Sequence, residues 1–241
     1  MRTDPPSLNS SPVPQWMGEE QIDPAHLLRL LTWLSPAFPV GAFGYSHGLE
    51  QAIRDGAVTS AAQLSAWIAA LVAHGSGWTD AVLLTAAWTA AATQDDLALA
   101  DVAELAAALA PSLERRRETL SQGEAFLTAA RPWLVPFPLQ GEGNAYPVAV
   151  GAVAGRLGVP VEATLTAWLH AFAANLVSVA VRAVPLGQTA GVAVIADLEP
   201  VILAAAARAA TSTLDDLGSA ALLSDIAAMR HETLQPRLFI S

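Results

Sequence analysis

The chain has 241 residues, with 12 basic and 22 acidic side chains and a formal net charge of −10 at pH 7. It contains no cysteine, and all 12 basic side chains are arginines. These counts exclude a disulfide scaffold, cysteine-based metal sites and a phosphate-binding loop that needs lysine. The acidic balance also disfavours a broad contact with nucleic acid or anionic lipid, so no nucleic-acid partner is predicted.

Hydrophobic residues make up 53% of the chain and charged residues only 14%, a balance that favours large interfaces with other proteins. The most apolar stretch, residues 163–184, is interrupted by polar side chains, so no membrane-spanning helix is predicted. The N-terminus has prolines where a signal peptide needs an apolar segment. A cytoplasmic location is therefore expected.

Residues 1–24 are polar and rich in proline without a hydrophobic period, and they are predicted to form a disordered N-terminal arm. Residues 25–241 are predicted to form one all-α domain, a bundle of about ten helices, because apolar side chains recur with helical spacing. Residues 35–48 interrupt this pattern with two prolines, three glycines and three aromatic residues. That segment is predicted to be rich in turns and partly buried.

Capping signals mark the starts of the helices that follow. The predicted N-caps are Ser60, Thr79 and Ser112, and another helix is predicted to begin at Asp95 and Asp96. Four further helices are predicted at about residues 146–157, 161–184, 187–212 and 215–231.

The predicted helix at 161–184 carries a polar ridge of side chains spaced four residues apart. The ridge consists of Thr166, His170, Ala174, Ser178 and Arg182, with Asn175 beside it. Because polar groups between packed helices need hydrogen-bond partners, we predict that His170 and Asn175 are core residues hydrogen-bonded within the bundle.

Residues 44–48 match the G-x-S-x-G pattern of serine hydrolases, with Ser46 as the candidate nucleophile. That pattern needs a strand before the serine, whereas Pro36 and Pro39 precede it here. A structural turn is therefore favoured, and a serine hydrolase that uses Ser46 is the alternative function.

Other motifs have structural interpretations. Gly151, Gly155 and Gly158 are predicted to allow close helix packing and not dinucleotide binding. The run Arg115–Arg117 is interpreted as a solvent-exposed face, with a docking patch for an acidic partner as the alternative. None of the five histidines has the spacing of a metal-binding motif, so no metal site is predicted.

Three ordered blocks of the chain match one known pattern. The first is SPAFPVGAFGYSHGLE at residues 35–50, the second is FAANLVSVAVRAVPLGQTAG at residues 172–191, and the third runs from residue 224 to residue 241. With them, the chain resembles the UreF family of urease accessory proteins over about residues 26–241. The matching residues of the first block are Ser35, Pro39, Gly41, Phe43, Tyr45, Ser46, Gly48, Leu49 and Glu50.

The resemblance implies an all-α, non-enzymatic protein with no cofactor of its own. It implies a complex with a UreD (UreH)-like accessory protein and a UreG-like GTPase, which docks on apo-urease and assists GTP-dependent insertion of nickel. It also implies a homodimer, with Phe43 and Tyr45 near the interface. Two positions depart from the family pattern, since Ile240 stands where arginine is usual and Ala145 where many members have histidine.

The C-terminal tail, residues 237–241, is predicted to bind a partner. Pro236 ends the preceding helix, and so short a tail buries too little surface to fold by itself. The resemblance favours ordering of the tail on the UreD-like protein, whereas the alternative is that Phe239 packs against the chain's own helices. The residues assigned to partner binding are Arg230, His231, Glu232, Arg237, Leu238 and Phe239.

Overall fold

The computed structural model of the chain describes residues 22–134, 143–184 and 186–240. These residues form ten α-helices and contain no β-strand, which confirms the predicted all-α bundle. The helices are α1 (Pro24–Trp33), α2 (Leu49–Arg54), α3 (Ala61–His74), α4 (Ser76–Ala92), α5 (Asp96–Ala108), α6 (Leu113–Ala129), α7 (Tyr146–Arg156), α8 (Val161–Ala183), α9 (Gln188–Ala210) and α10 (Leu222–His231).

Most of the predicted N-terminal arm, residues 1–21, lies outside the described residues, as do residues 135–142 and Ser241. The arm's predicted boundary extends one residue too far. Pro24 is already the first residue of α1, because the Asp23 side chain accepts a hydrogen bond from the backbone N–H of Ala25 and caps the helix.

Two of the predicted caps, Ser60 and Ser112, are confirmed, and the helix predicted to begin at Asp95 and Asp96 is capped by Asp95. The side chains of Ser60, Asp95 and Ser112 each accept a hydrogen bond from the backbone N–H three residues later. The predicted cap at Thr79 is wrong, because α4 already begins at Ser76 and the Thr79 N–H donates to the carbonyl of Gly75 inside the helix.

The predicted helix at 215–231 is too long. Residues 214–216 form one turn of 3-10 helix, and α10 begins only at Leu222. Gly218 between them has φ 152°, a backbone conformation that is not helical. The remaining predicted helices at 146–157, 161–184 and 187–212 are confirmed as α7, α8 and α9.

Helix α4 lies at the centre of the bundle, in contact with α3, α5, α7, α8 and α9. Its approach to α7 depends on two glycines. A Cβ atom on Gly151 would lie 2.3 Å from the carbonyl oxygen of Leu84, and one on Gly155 would lie 2.3 Å from that of Trp88. The predicted role in close helix packing is confirmed for Gly151 and Gly155. It is wrong for Gly158, because no atom lies within 4 Å of the position of its Cβ and the residue has the left-handed φ of 66°.

Helices α8 and α9 are each 23 residues long and are apolar enough, by length and composition alone, to cross a membrane. In the structure 56% of the apolar window of α8 is buried inside the protein. Helix α9 packs along α3 and α8. Only 33% of the apolar window of α9 is buried, so α8 has the burial of a core helix and α9 is largely on the surface of the bundle.

The polar ridge on α8 is only partly as predicted. Asn175 is half-buried, and its side-chain amide donates to the carbonyl of Tyr45 at 3.2 Å, which confirms its hydrogen-bonded role. The prediction that His170 is a core residue is wrong, because its side chain is exposed. The ridge faces the irregular segment 35–48 across an open groove and not another helix.

Candidate functional site

The buried carboxylate of Glu50 holds the C-terminal tail against the bundle. Glu50 lies in the first turn of α2 and is 2% exposed. Its two oxygens accept hydrogen bonds from the backbone N–H groups of Leu238, at 2.9 and 3.1 Å, and Phe239, at 3.0 Å. A side chain near the start of the domain therefore satisfies two backbone donors at its end.

His231 at the end of α10 connects this carboxylate to a second one. The imidazole is fully buried, with Nε2 3.1 Å from Glu50 and Nδ1 3.0 Å from Glu114 on α6. Carboxylates can only accept hydrogen bonds, so both ring nitrogens are placed to donate. Glu114 also pairs with Arg237 of the tail. The network thus joins α2, α6, α10 and the tail.

The electrostatics of Glu50 follow from these contacts. Burial by itself raises the pKa of the Glu50 carboxyl, but the hydrogen bonds from Leu238, His231 and Phe239 outweigh burial and hold the pKa below its ordinary value. The ionised carboxylate is therefore the form that the folded tail stabilises.

The tail itself is docked on its own chain. The Phe239 ring is 4% exposed, and the guanidinium of Arg182 on α8 lies 4.6 Å above its centroid. Arg182 also donates to the carbonyl of Phe43 at 2.9 Å, and the N–H of Ile240 donates to the carbonyl of Gly44 at 2.8 Å. The expectation that Phe239 is ordered only by a partner is wrong, because the core of this chain already receives the ring.

We expect Phe239→Ala to lower the free energy of unfolding by about 3 kcal/mol, because it removes a buried aromatic ring and leaves a cavity. Leu238→Ala, at a side chain that is 71% exposed, should change it by less than about 0.5 kcal/mol. Thermal melts of the two variants provide the comparison. Equal melting temperatures would contradict the docked position of the ring.

Gly48 sets the approach of α10 to the start of α2. It caps α2 with φ 76°, and a Cβ atom there would lie 2.6 Å from the backbone nitrogen of Ala228. Only glycine combines this left-handed conformation with so close a backbone. The family-motif glycine is therefore a packing residue of the site.

Not every side chain of this region is buried. Phe43, Leu238 and Ile240 are 67%, 71% and 55% exposed, and Ile240 lies over Gly44, beside Phe43. We call these three residues the tail surface. Its backbone is fixed from below by Glu50 and Arg182, so it presents apolar side chains on an ordered support.

The other predicted residues have mainly local roles. Ser35 accepts a hydrogen bond from the N–H of Ala37, and Gly41 adopts φ 72°. Tyr45 is fixed through its carbonyl by Asn175. The remaining three are exposed: Pro39, Arg230, which pairs with Asp55, and Glu232, which accepts from the first N–H groups of α6.

Ser46 does not have the setting of a hydrolase nucleophile. Its side chain is fully buried, and its hydroxyl accepts from the N–H of Glu50 at 3.4 Å. The residues that the structure describes before it form a helix and turns, not the strand that the nucleophile motif needs. The turn interpretation accounts for the G-x-S-x-G pattern.

A second polar cluster lies beneath the segment 35–48, and sequence reasoning missed it. Arg115 pairs with Glu118 at 2.6 Å and more loosely with Asp80 at 3.8 Å. His47 places its Nε2 3.1 Å from Glu118 and 3.3 Å from Arg115. The interpretation of residues 115–117 as a solvent-exposed face is wrong for Arg115, which is 7% exposed.

The spacing of Arg115 and Glu118 is the feature of the sequence that could have indicated this cluster, since residues three apart share a face of α6. Burial, followed by the charge of Arg115, lowers the pKa of His47 against the opposing effect of Glu118. Burial raises the pKa of Asp80 to about 6, because the loose contact with Arg115 compensates only in part and Glu118 adds repulsion.

This shift predicts a pH dependence of stability. The pKa of Asp80 is raised in the fold from 3.8 to about 6, so the folded state binds the extra proton and stability falls as pH rises between these values. The loss amounts to at most about 3 kcal/mol. Arg115, Glu118 and Asp225 are the charged groups that face Asp80.

Melting curves at pH 4.5 and pH 7.5 of the wild type and of Asp80→Asn test this. We expect the variant to gain stability relative to the wild type at the higher pH only. Asp197→Asn, at an exposed position on α9, is the matched control and should follow the wild type. A pH-independent difference between Asp80→Asn and the wild type would contradict the shift.

No group of three or more histidine or acidic side chains in the described ranges has a geometry that could hold a metal ion. His231 illustrates the reason. Its two nitrogens point to different carboxylates on opposite edges of the ring, so the three side chains do not share one centre.

The fold and the site define an all-helical protein whose described polar clusters fix chain segments to one another. The UreF family profile matches residues 58–199. The chain is 53% identical over 216 residues to urease accessory protein UreF 1 of Brucella canis, covering 89% of this chain and 94% of that protein. It is 49% identical over 242 residues to urease accessory protein UreF of Rhodopseudomonas palustris, covering 98% of each. The chain belongs to the UreF family of urease accessory proteins.

Proposed function

We propose that this chain is a non-enzymatic subunit of a complex with a UreD (UreH)-like accessory protein and a UreG-like GTPase. In this proposal the complex docks on apo-urease and assists GTP-dependent insertion of nickel. Family membership supports the accessory role. The observation that carries the proposal is the convergence of the three resembling blocks on one surface, where Glu50, Arg182 and Phe239 are held together.

The tail surface is the proposed contact with the UreD-like protein. Phe43, Leu238 and Ile240 are exposed and apolar, and the backbone beneath them is hydrogen-bonded to the bundle. A fixed apolar surface loses little conformational entropy on binding. The tail is therefore proposed to bind the partner in a conformation that is ordered before binding. Arg237, which pairs with Glu114, and the buried ring of Phe239 hold the tail on the bundle.

The composition and the site support a protein without an activity of its own. The chain has no lysine for a phosphate-binding loop, so GTP binding and hydrolysis are assigned to the UreG-like partner. The hydrolase alternative is disfavoured because Ser46 is fully buried. A fluorophosphonate probe should leave the native protein unlabelled, and labelling at Ser46 would restore that alternative.

A cytoplasmic location and a homodimer complete the proposal, with no membrane and no nucleic acid as partners. The low charged fraction of 14% supports the homodimer, and the net charge of −10 disfavours nucleic acid as a partner. The burial of 56% of the apolar window of α8 also favours a core helix over a membrane span for that helix.

The test is co-purification with the UreD-like protein encoded in the same genome. The double variant Leu238→Ser/Ile240→Ser should lose most of the bound partner while melting at the wild-type temperature, because both side chains are exposed. Leu97→Ser on α5, at a leucine that is 80% exposed, is the matched control and should bind fully. Full binding by the double variant would refute the proposed contact surface.

A further inference from the structure

An open groove separates the irregular segment 35–43 from the polar ridge of α8. It contains a cavity of about 230 Å³ in its inner part. Aromatic side chains form its walls, among them Phe38, Tyr146 and Trp168. Ala174 and Ser178 of α8 line its outer part, where Ser178 is exposed. We call this feature the α8 groove.

The floor of the α8 groove is acidic. Glu118 and Asp80 line it together with Arg115 and His47. The single guanidinium of Arg115 lies 2.6 Å from Glu118 but 3.8 Å from Asp80. Because burial disfavours the charged form of a histidine, His47 adds no compensating cation. When both carboxylates are ionised, the floor carries one uncompensated negative charge.

Nδ1 of His47, a residue that is 9% exposed and lines the groove, is a buried polar atom with no hydrogen-bond partner within the described part of the chain. His47 also has φ 53°, a conformation that side chains other than glycine adopt at a cost. Such an unpartnered buried atom is uncommon in folded proteins.

We propose that the α8 groove binds the cationic end of an alkylammonium or alkylguanidinium group. The alkyl stem would lie along the aromatic walls, whose π faces also attract the cation. The head would reach the acidic floor, where its N–H groups can donate to Nδ1 of His47 and to the carboxylate of Asp80. The cavity holds a group of this size, and a carboxylate would meet repulsion from Glu118.

This chemistry is carried by a basic side chain of another protein and by a free organic amine. The groove is open on the side of Ser178, so either source can enter. Phe43 borders both the α8 groove and the tail surface, but His47, Asp80 and Trp168 belong only to the groove. Binding measured at these three residues therefore tests the groove separately from the proposed complex.

Titration followed by NMR of the indole N–H of Trp168 tests the inference, with Trp168→Phe identifying the resonance. Agmatine is the cationic probe, n-pentanol the neutral probe and pentanoate the anionic probe. We expect a saturable shift with agmatine and at least a fivefold weaker response to the other two. N-acetylarginine methylamide, which mimics an arginine within a polypeptide, distinguishes a protein side chain from a free amine. If it binds as tightly as agmatine, the ligand is a side chain of another protein. If it binds more weakly, the ligand is a free amine.

Two variants localise the binding. Asp80→Asn removes the uncompensated charge and should weaken agmatine at least fivefold, and Ala174→Leu narrows the groove and should abolish the shift. Ala193→Leu, at an exposed position on α9, should bind as the wild type does. The proposal would be overturned if no saturable shift appeared up to about 20 mM agmatine, or if pentanol bound equally well. Full binding by Asp80→Asn and Ala174→Leu would also overturn it. The cavity would then be interpreted as filled by water.

Discussion

Glu50→Ala is expected to lower the free energy of unfolding by about 3–5 kcal/mol. The substitution leaves the backbone N–H groups of Leu238 and Phe239 without their acceptor and removes one carboxylate from buried His231. Each buried polar group left unsatisfied costs about 1–3 kcal/mol, and more when it is charged. The tail should then detach, because its own buried surface is small.

Thermal melts and limited proteolysis of the C-terminus measure the two consequences. Glu50→Gln keeps one oxygen acceptor and should lose less stability than Glu50→Ala. Glu199→Ala, at an exposed glutamate on α9, serves as the control and should melt as the wild type does. A Glu50→Ala protein with wild-type melting and an uncleaved tail would show that the carboxylate does not hold the tail.

Gly48→Ala is the second variant for which we expect a large loss, of about 3 kcal/mol or more. The new Cβ would lie 2.6 Å from the backbone nitrogen of Ala228, so α10 must move away from α2. The left-handed backbone at φ 76° adds a cost of about 1–2 kcal/mol. Displacing α10 also displaces His231, so the tail should become more accessible to protease.

Gly56→Ala separates the two contributions. Gly56 has nearly the same backbone conformation, with φ 77°, but no atom lies within 4 Å of the position of its Cβ. This variant should lose only the conformational part, about 1–2 kcal/mol. Equal losses in chemical denaturation of Gly48→Ala and Gly56→Ala would contradict the close contact between α2 and α10.

Helices were predictable because their signals are local. The side chains of Ser60, Asp95 and Ser112 bond to N–H groups only three residues away, so the chain shows these contacts without its fold. The start of α4 was misplaced because Gly75 provides its cap without any side-chain hydrogen bond. A cap that lacks a side-chain signal leaves little trace in the sequence.

The residues of the site were identified by resemblance, but their contacts were not. The motif residue Glu50 and the tail residue Phe239 both stood out in the sequence, yet no local rule relates positions 189 residues apart. The tail was assigned to a partner because five residues cannot bury enough surface alone. That argument did not include the contacts that the tail makes with Glu50 on α2 and Arg182 on α8.

The sequence by itself determined the fold class, most helix boundaries and the family, because these depend on periodicity, caps and ordered motifs. Only the tertiary structure decided which polar groups are buried. It placed Arg115 inside the bundle and His170 on the surface, although both lie on helices with charged or polar neighbours. Burial of a side chain depends on which distant segments of the chain pack against its helix. The spacing of residues along one helix does not show which segments these are.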